Sequence, residues 1–165
     1  MGTTRGLEDD LGYSFDEPEL LRRALIHASA KGVSAEEKNQ AFRLSWLGDA
    51  ILDLVVSDKL YTLFGNATKE QLHRWHTKLT SNAALGAVAV RMGLDNHVLK
   101  APDIDKNPAA KDRHRMLASI LEAVFGAVYA DGGVRKSQSV IRRVMSPEFD
   151  ALLEGAPRES RSESS

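Results

Sequence analysis

The sequence predicts an all-α fold in one domain, and three features support that prediction. Apolar residues recur at helical spacing in several segments, the first at positions 20–28. Helix-capping patterns separate the segments, such as Thr-Lys-Glu-Gln at 68–71 and Gly-Asn at 65–66. Apolar and polar residues do not alternate over any useful length, as they would in half-buried strands.

Five helices are predicted in chain order. The first has Pro18 in its first turn, and a polar connector at 31–40 follows it. The other four are bounded by capping residues, glycines and prolines, and they cover about 41–64, 68–92, 111–129 and 134–145. Residues 1–150 are predicted to form the domain, and the polar, serine-rich segment 151–165 is predicted to be a disordered tail.

Composition and charge narrow the classes of function. Apolar residues make up 42% of the 165 residues and charged residues 27%, as in ordinary globular domains. The chain has no cysteine, which excludes disulfides and thiolate metal sites. No apolar run approaches membrane-spanning length and no secretory signal is seen, so we expect no membrane partner and a cytoplasmic location. With a net charge of −1, any RNA binding must depend on a local basic patch or a partner.

Two segments each place a hydroxyl and a carboxylate on the same face of a helix. Ser45 and Asp49 are four positions apart, and Ser119 and Glu122 are three apart. The pattern is compatible with a metal site, with the remains of one, or with two polar surfaces whose carboxylates form ion pairs. His73 and His76 are also three apart, but no third ligand lies at a fixed offset, so a solvated helix face is the preferred interpretation.

Four stretches resemble the catalytic domain of the ribonuclease III family. They are FDEPELLRRALIHAS at 15–29, LSWLGDAILDLVVSDKLY at 44–61, LTSNAAL at 79–85 and LASILEAVFGAVYADGG at 117–133. Their order and separations match the family over about residues 8–145. The resemblance implies a helical bundle that forms a symmetric homodimer through its signature helices and cuts double-stranded RNA.

In that family, four carboxylates hold Mg²⁺, which activates a water and binds the scissile phosphate. Asp49 and Glu122 match two of these acids. Ser45 and Ser119 replace the other two, and Phe42 replaces a further acid near the start of the signature. The resemblance therefore implies that Asp49, Glu122, Ser45 and Ser119 form the catalytic position. We expect Mg²⁺ or Mn²⁺ to bind Asp49 and Glu122 weakly or not at all, and RNA cleavage to be impaired.

Three functions remain open from the sequence. The first is a nuclease with a reduced metal site that acts on structured RNA. The second is a non-catalytic RNA-binding or scaffolding dimer. The third is an enzyme that acts on a small molecule without metal, in the cleft that holds the metal ion and the phosphate in the family. Candidate RNA contacts are Asn82 and the basic residues that precede the second acidic helix, namely Lys111, Arg113 and Arg115. Only 20 residues follow Met145, too few for the double-stranded-RNA-binding domain common in the family.

The predicted helix over about 41–64, which we call the signature helix, is apolar on all sides. A helix that packs in the core of a monomer needs only one apolar face. This pattern predicts a homodimer, with Phe42, Trp46 and Leu54 as candidate contacts. Within one copy, core packing is the preferred environment for Trp46 over stacking on a base.

Overall fold

A computed structural model of the chain describes residues 4–104 and 110–162, with no description of the side chains of 110 and 111. The helices are α1 (Arg5–Leu11), α2 (Pro18–Ala24), α3 (Ala35–Leu63), α4 (Lys69–Thr80), α5 (Asn82–Arg91), α6 (Ala110–Val144) and α7 (Ser146–Gly155). Leu94–Asn96 and Arg158–Ser160 form short 3₁₀ turns. Within the described ranges the extended pairing is a single isolated bridge between Ile26 and Leu99, so the all-α prediction is confirmed.

The helices α3 and α6 form the centre of the bundle and make its most extensive contact. They cross at Gly48 of α3 and Gly126 of α6, both of which are buried. A Cβ atom at position 126 would lie 2.0 Å from the backbone oxygen of Leu44, so the two backbones touch directly here. The two glycines therefore permit the close approach of α3 and α6.

The signature helix begins six residues earlier than predicted, at Ala35. Ser34 accepts a hydrogen bond from the Glu37 backbone N–H at 3.2 Å, and the Glu37 carboxylate accepts one from the Ser34 N–H at 3.0 Å. This capping box gives the polar segment 34–40 a helical start, so the prediction of a connector over 31–40 was wrong beyond its first few residues.

The predicted helix over 68–92 is two helices in the structure, α4 and α5. Ser81 between them has extended backbone angles, φ −63° and ψ 150°, and its hydroxyl accepts a hydrogen bond from the Ala84 N–H at 3.2 Å. Serine competes with helical hydrogen bonding in this way, because its side chain can cap a new helix instead. The apolar spacing continues across the break, which explains why the sequence indicated one helix.

The helix α6 consists of two helical stretches that meet at a kink, so the predicted boundary near 131–133 is confirmed. Gly133 has φ 74° and ψ −174°, a conformation that is open mainly to glycine. The helical stretch Asp112–Val144 contains an 18-residue window of mean hydropathy 1.4, long and apolar enough to cross a membrane by length and composition alone. This differs from the prediction that no apolar run reaches such length. In this fold, residues Leu117–Val128 of that stretch lie mostly in the domain core, against α2, α3 and α5.

The segment predicted as a disordered tail is ordered as far as residue 162. The helix α7 extends to Gly155, and Phe149 and Leu152 on it are buried. Ser162 then reaches the end of α3, where its N–H donates to the Leu63 carbonyl at 2.9 Å. The Ser162 hydroxyl donates to the Thr62 carbonyl at 2.7 Å and accepts from the Gly65 N–H at 2.8 Å. These bonds satisfy carbonyl groups that a helix end leaves free, and composition alone did not indicate them.

One carboxylate ties the start of the domain to the kinked helix. Asp131 accepts a hydrogen bond from the Tyr13 hydroxyl at 2.7 Å and from the backbone N–H groups of Asp16 and Glu17, each at 2.9 Å. Partial burial acts to raise the pKa of Asp131, but these hydrogen bonds lower it below its ordinary value of 3.8.

We therefore expect Asp131→Ala to lower the free energy of unfolding by about 1–3 kcal/mol at neutral pH, since hydrogen bonds to a charged group are lost. Because the folded pKa is lowered, the Asp131 contribution is present above the ordinary pKa of 3.8 and is lost as the pH falls through the folded value. Urea unfolding of the two proteins at neutral pH and near pH 3 checks this. An equal difference in stability at both pH values would contradict the prediction.

Candidate active site

The four residues predicted for the catalytic position come together where α3 crosses α6. The hydroxyl oxygens of Ser45 and Ser119 are 3.1 Å apart, and the Ser45 hydroxyl donates to Glu122 Oε2, also at 3.1 Å. Since Ser45 has one hydroxyl proton, Ser119 donates to Ser45 when Glu122 is ionised. The two serines and Glu122 thus form a hydrogen-bonded cluster that joins the helices, with Asp49 beside it on α3.

The helix crossing explains why these side chains meet. Gly48 follows Ser45 by three positions and contacts the Glu122 backbone, so no side chain separates the two helices at that level. Ser45 and Asp49 project from one side of this contact, and Ser119 and Glu122 meet them from the other helix. The cluster lies next to the contact between Gly48 and Gly126, where the backbones of α3 and α6 touch.

Both carboxylates have raised pKa values. Burial raises the pKa of Glu122 to about 7, and repulsion by Asp49 and Asp53 adds to this against the opposing hydrogen bond from Ser45. Burial and the charge of Asp53 raise the pKa of Asp49, while His76 acts to lower it. Near neutral pH, Glu122 is therefore present in both protonation states.

The sequence interpretation missed two neighbours of this cluster, Asp53 and His76. Asp53 is one turn after Asp49 on α3, and its Oδ1 lies 3.3 Å from Nε2 of His76 on α4. The four-residue spacing of Asp49 and Asp53 was a usable signal for an acidic helix face. The pairing with His76 was not, because it depends on how α4 packs against α3. The interpretation of His76 as part of a solvated face was wrong, since its side chain is only 22% exposed.

The residues present do not fit the four-carboxylate metal site of the resemblance. Within residues 4–104 and 112–162, no group of three or more His, Asp or Glu side chains is arranged to hold a metal ion. Ser45 and Ser119 contribute neutral hydroxyls, which are weak ligands for Mg²⁺ compared with carboxylates. Their mutual hydrogen bond and the bond to Glu122 give these groups partners inside the protein instead.

The four candidate RNA contacts have different environments in the structure. Arg113 donates to Asp95 at 2.6 Å, so its charge is already paired. Arg115 is exposed on α6, and Asn82 is exposed at the first position of α5. The side chain of Lys111 lies outside the described residues. None of the three described residues is a member of the serine–carboxylate cluster.

The predicted core environment of Trp46 was wrong. Its side chain is 77% exposed, and other large apolar residues of α3 are exposed too, namely Phe42 (56%), Leu54 (51%) and Tyr61 (76%). We call these four residues the α3 outer face. Trp75, in contrast, packs on Phe64 with ring centroids 4.4 Å apart. The apolar character on all sides of α3 therefore reflects one buried side and one uncovered side.

Comparisons with known proteins agree with this architecture. A family model described as Ribonuclease-III-like matches residues 17–148. Ribonuclease 3 of Ralstonia pickettii is 36% identical over 146 residues, covering 88% of this chain and 54% of that protein. Ribonuclease 3 of Nitratidesulfovibrio vulgaris is 33% identical over 147 residues, covering 89% and 58%. The chain thus spans a little over half the length of these relatives.

Solved structures show the same fold. The nuclease domain of ribonuclease III from Campylobacter jejuni matches with a TM-score of 0.78 at 29% identity, covering 90% of this chain and 97% of that one. A second crystal structure of that domain is described by flexibility in a region involved in dimer formation. Dicer from Pichia stipitis shares the fold with a TM-score of 0.64 at 19% identity. Fold, family model and the meeting of the two acidic helices lead to one conclusion: this chain belongs to the ribonuclease-III-like family.

Proposed function

We propose that the protein is a ribonuclease III-type homodimer that binds double-stranded RNA and cleaves it weakly or not at all with divalent metal. The observation that carries this proposal is the hydrogen-bonded cluster of Ser45, Ser119 and Glu122. It lies where α3 crosses α6, beside Asp49. Family nucleases use divalent metals, and here a site of about two carboxylates offers such an ion few ligands.

We expect the purified protein to retard long double-stranded RNA in a gel-shift assay and to leave it largely uncut in Mg²⁺ or Mn²⁺. Retardation should weaken steeply with salt, because phosphate contacts release counterions. Isothermal calorimetry with either metal should show little heat at millimolar concentration, with Asp49→Ala as the matched control. Rapid cleavage, or tight Mg²⁺ binding that is lost in Asp49→Ala, would contradict the proposal and indicate an active nuclease.

The homodimer is proposed from the α3 outer face. Monomeric proteins seldom leave such a set of large apolar side chains uncovered, and contiguous apolar patches mark interfaces. A two-fold axis near Ala50 would place Trp46 of one copy opposite Leu54 of the other, because both are four residues from it. The face is thus complementary to itself along an antiparallel pair of α3 helices.

Trp46→Glu is expected to raise the dimer dissociation constant at least about 30-fold, since buried tryptophan anchors contribute about 2 kcal/mol or more. Sedimentation equilibrium of wild type and variant measures this. Val134→Glu is the matched control, because Val134 is also apolar and 43% exposed but lies on the kinked part of α6. A wild type that is monomeric at micromolar concentration would contradict the homodimer.

One observation favours a second candidate, an enzyme that acts on a small molecule at the cluster of Ser45, Asp49, Ser119 and Glu122. With its pKa raised to about 7, Glu122 is suited to donate and accept protons near neutral pH, and Asp49 lies beside it. Two results together would favour this candidate. The protein would fail to bind RNA, and Glu122→Gln would raise its stability at neutral pH, just as lowering the pH raises the stability of wild type.

A further inference from the structure

Two depressions flank α3 toward opposite ends of its outer face. One of about 390 Å³ lies between α2 and α3, and there α3 contributes Trp46 and a single charged residue, Arg43. The other, of about 730 Å³, lies between α3 and α4, and there α3 contributes Leu54 and the carboxylates of Asp53 and Asp58. Along α3, the charge beside the outer face therefore changes from positive toward the start of the helix to negative toward its end.

Arg43 and Asp58 lie on the same flank of α3. They are fifteen residues apart, close to four helical turns, so their side chains leave the helix in similar directions. Both side chains are exposed, and Arg43 forms no ion pair within the described part of the chain. Arg142 holds Oδ2 of Asp58 at 2.5 Å, which leaves Oδ1 of this carboxylate to accept from a second donor.

A two-fold axis near Ala50 brings Arg43 of one copy level with Asp58 of the other. The midpoint of positions 43 and 58 falls between residues 50 and 51, next to Ala50, which is the midpoint of Trp46 and Leu54. With a rise of about 1.5 Å per residue, the two charged residues are offset by only about 1.5 Å along antiparallel helices. The axis also places the same flank of both helices on one side, so the charge pair occurs twice in the dimer.

We propose that two symmetric ion pairs fix the register of the homodimer, each between Arg43 of one copy and Asp58 of the other. This inference rests on the homodimer of the proposed function and adds the charges that select its arrangement. The partner's Arg43 donates to Oδ1 of Asp58, while Arg142 of the same copy holds Oδ2 and orients the carboxylate. A planar guanidinium with several donors suits this role, because it matches the geometry of a carboxylate.

The ion pairs discriminate against other ways of covering the same apolar face. In a parallel pair of α3 helices, Arg43 would lie beside Arg43 and Asp58 beside Asp58, and such like-charge contacts oppose association. In an antiparallel pair shifted by one turn, the opposite charges would move apart by about 5.4 Å. Burial of the apolar side chains drives association in any of these arrangements, whereas the charges favour one of them.

The test reverses one charge in each of two variants of the full chain, Arg43→Glu and Asp58→Arg. Each variant alone should have a dimer dissociation constant raised at least about tenfold, because both contacts of its homodimer join like charges. An equimolar mixture should associate about as tightly as wild type, since both contacts of the mixed dimer join opposite charges. Sedimentation equilibrium measures the constants, and native mass spectrometry identifies the mixed dimer. Arg135→Glu, exposed on α6 beyond the kink, is the matched control and should dimerise as wild type does.

Arg43 is exposed, so its replacement should leave the circular dichroism spectrum unchanged, which keeps the test independent of folding. An Arg43→Glu dimer as tight as wild type, or a mixture that associates no better than the separate variants, would overturn this inference. If wild type still dimerises and Trp46→Glu weakens that dimer, this inference alone fails. A monomeric wild type would overturn the homodimer of the proposed function and this inference with it. If the mixture associates but double-stranded RNA is not bound, only the RNA binding of the proposed function fails.

Discussion

Gly48→Ala is expected to lower the free energy of unfolding by more than about 4 kcal/mol, a large share of the roughly 5–15 kcal/mol that stabilises most domains. The added Cβ would lie 1.7 Å from the backbone oxygen of Glu122 and 2.8 Å from the backbone nitrogen of Gly126. Both atoms belong to the backbone of a buried helix, so no side chain can rotate away to relieve the overlap. The two helices would have to separate along the most extensive contact of the core.

The matched control is Gly6→Ala in α1, where a Cβ atom meets nothing within 4 Å. There, alanine should be neutral or stabilise by up to about 1 kcal/mol, because it reduces the freedom of the unfolded chain. Circular dichroism and urea unfolding of the three proteins measure the contrast. Wild-type stability of Gly48→Ala would show that the helices do not cross as closely as described.

The second large effect is expected from placing carboxylates at the two serine positions, with Ser45→Glu and Ser119→Asp together. In wild type the two hydroxyl oxygens are only 3.1 Å apart, so two carboxylates there would repel each other and Glu122. We expect the double variant to melt below wild type without metal. With Mg²⁺ at about 100 times its dissociation constant, the variant should gain about 2.7 kcal/mol, or roughly 5–10 °C in melting temperature.

Ser45→Gln with Ser119→Asn is the control, because it adds similar volume without charge. It should melt at the same temperature with and without Mg²⁺, and wild type should respond little. We expect metal binding to return without full cleavage of double-stranded RNA, because the family resemblance implies a further acid at the position of Phe42. A double variant with no response to metal would mean that the cleft has changed beyond the two serines, in favour of the small-molecule candidate.

The parts of the fold that the sequence predicted are those set by local pattern. Helical spacing of apolar residues indicated α2 to α6, and the spacing within each acidic helix placed the four catalytic-position residues on facing sides. The conclusion that they meet came from the family resemblance, since spacing within one helix cannot say which other helix lies opposite. The break at Ser81 was missed because a serine suits both a helix surface and a cap.

The parts that the sequence did not predict depend on contacts between distant residues. Arg113 was a candidate for RNA until the fold placed Asp95 beside it, and His76 was taken as solvated until α4 placed it against Asp53. Trp46 showed the limit of composition most clearly. An apolar residue on an apolar helix is normally covered, and only the packing of the other helices reveals that one side of α3 is left open.

The hydrogen bonds of Ser162 at the end of α3 have a consequence for synthesis of the chain. They join residues 97 and 100 positions apart, so the last carbonyls of α3 gain these partners only after about a hundred further residues have been made. At about 5–20 residues per second, that interval is roughly 5–20 seconds. During it the central helix of the domain is present on the ribosome with an open end, until the segment that contains Ser162 has been made and can close it.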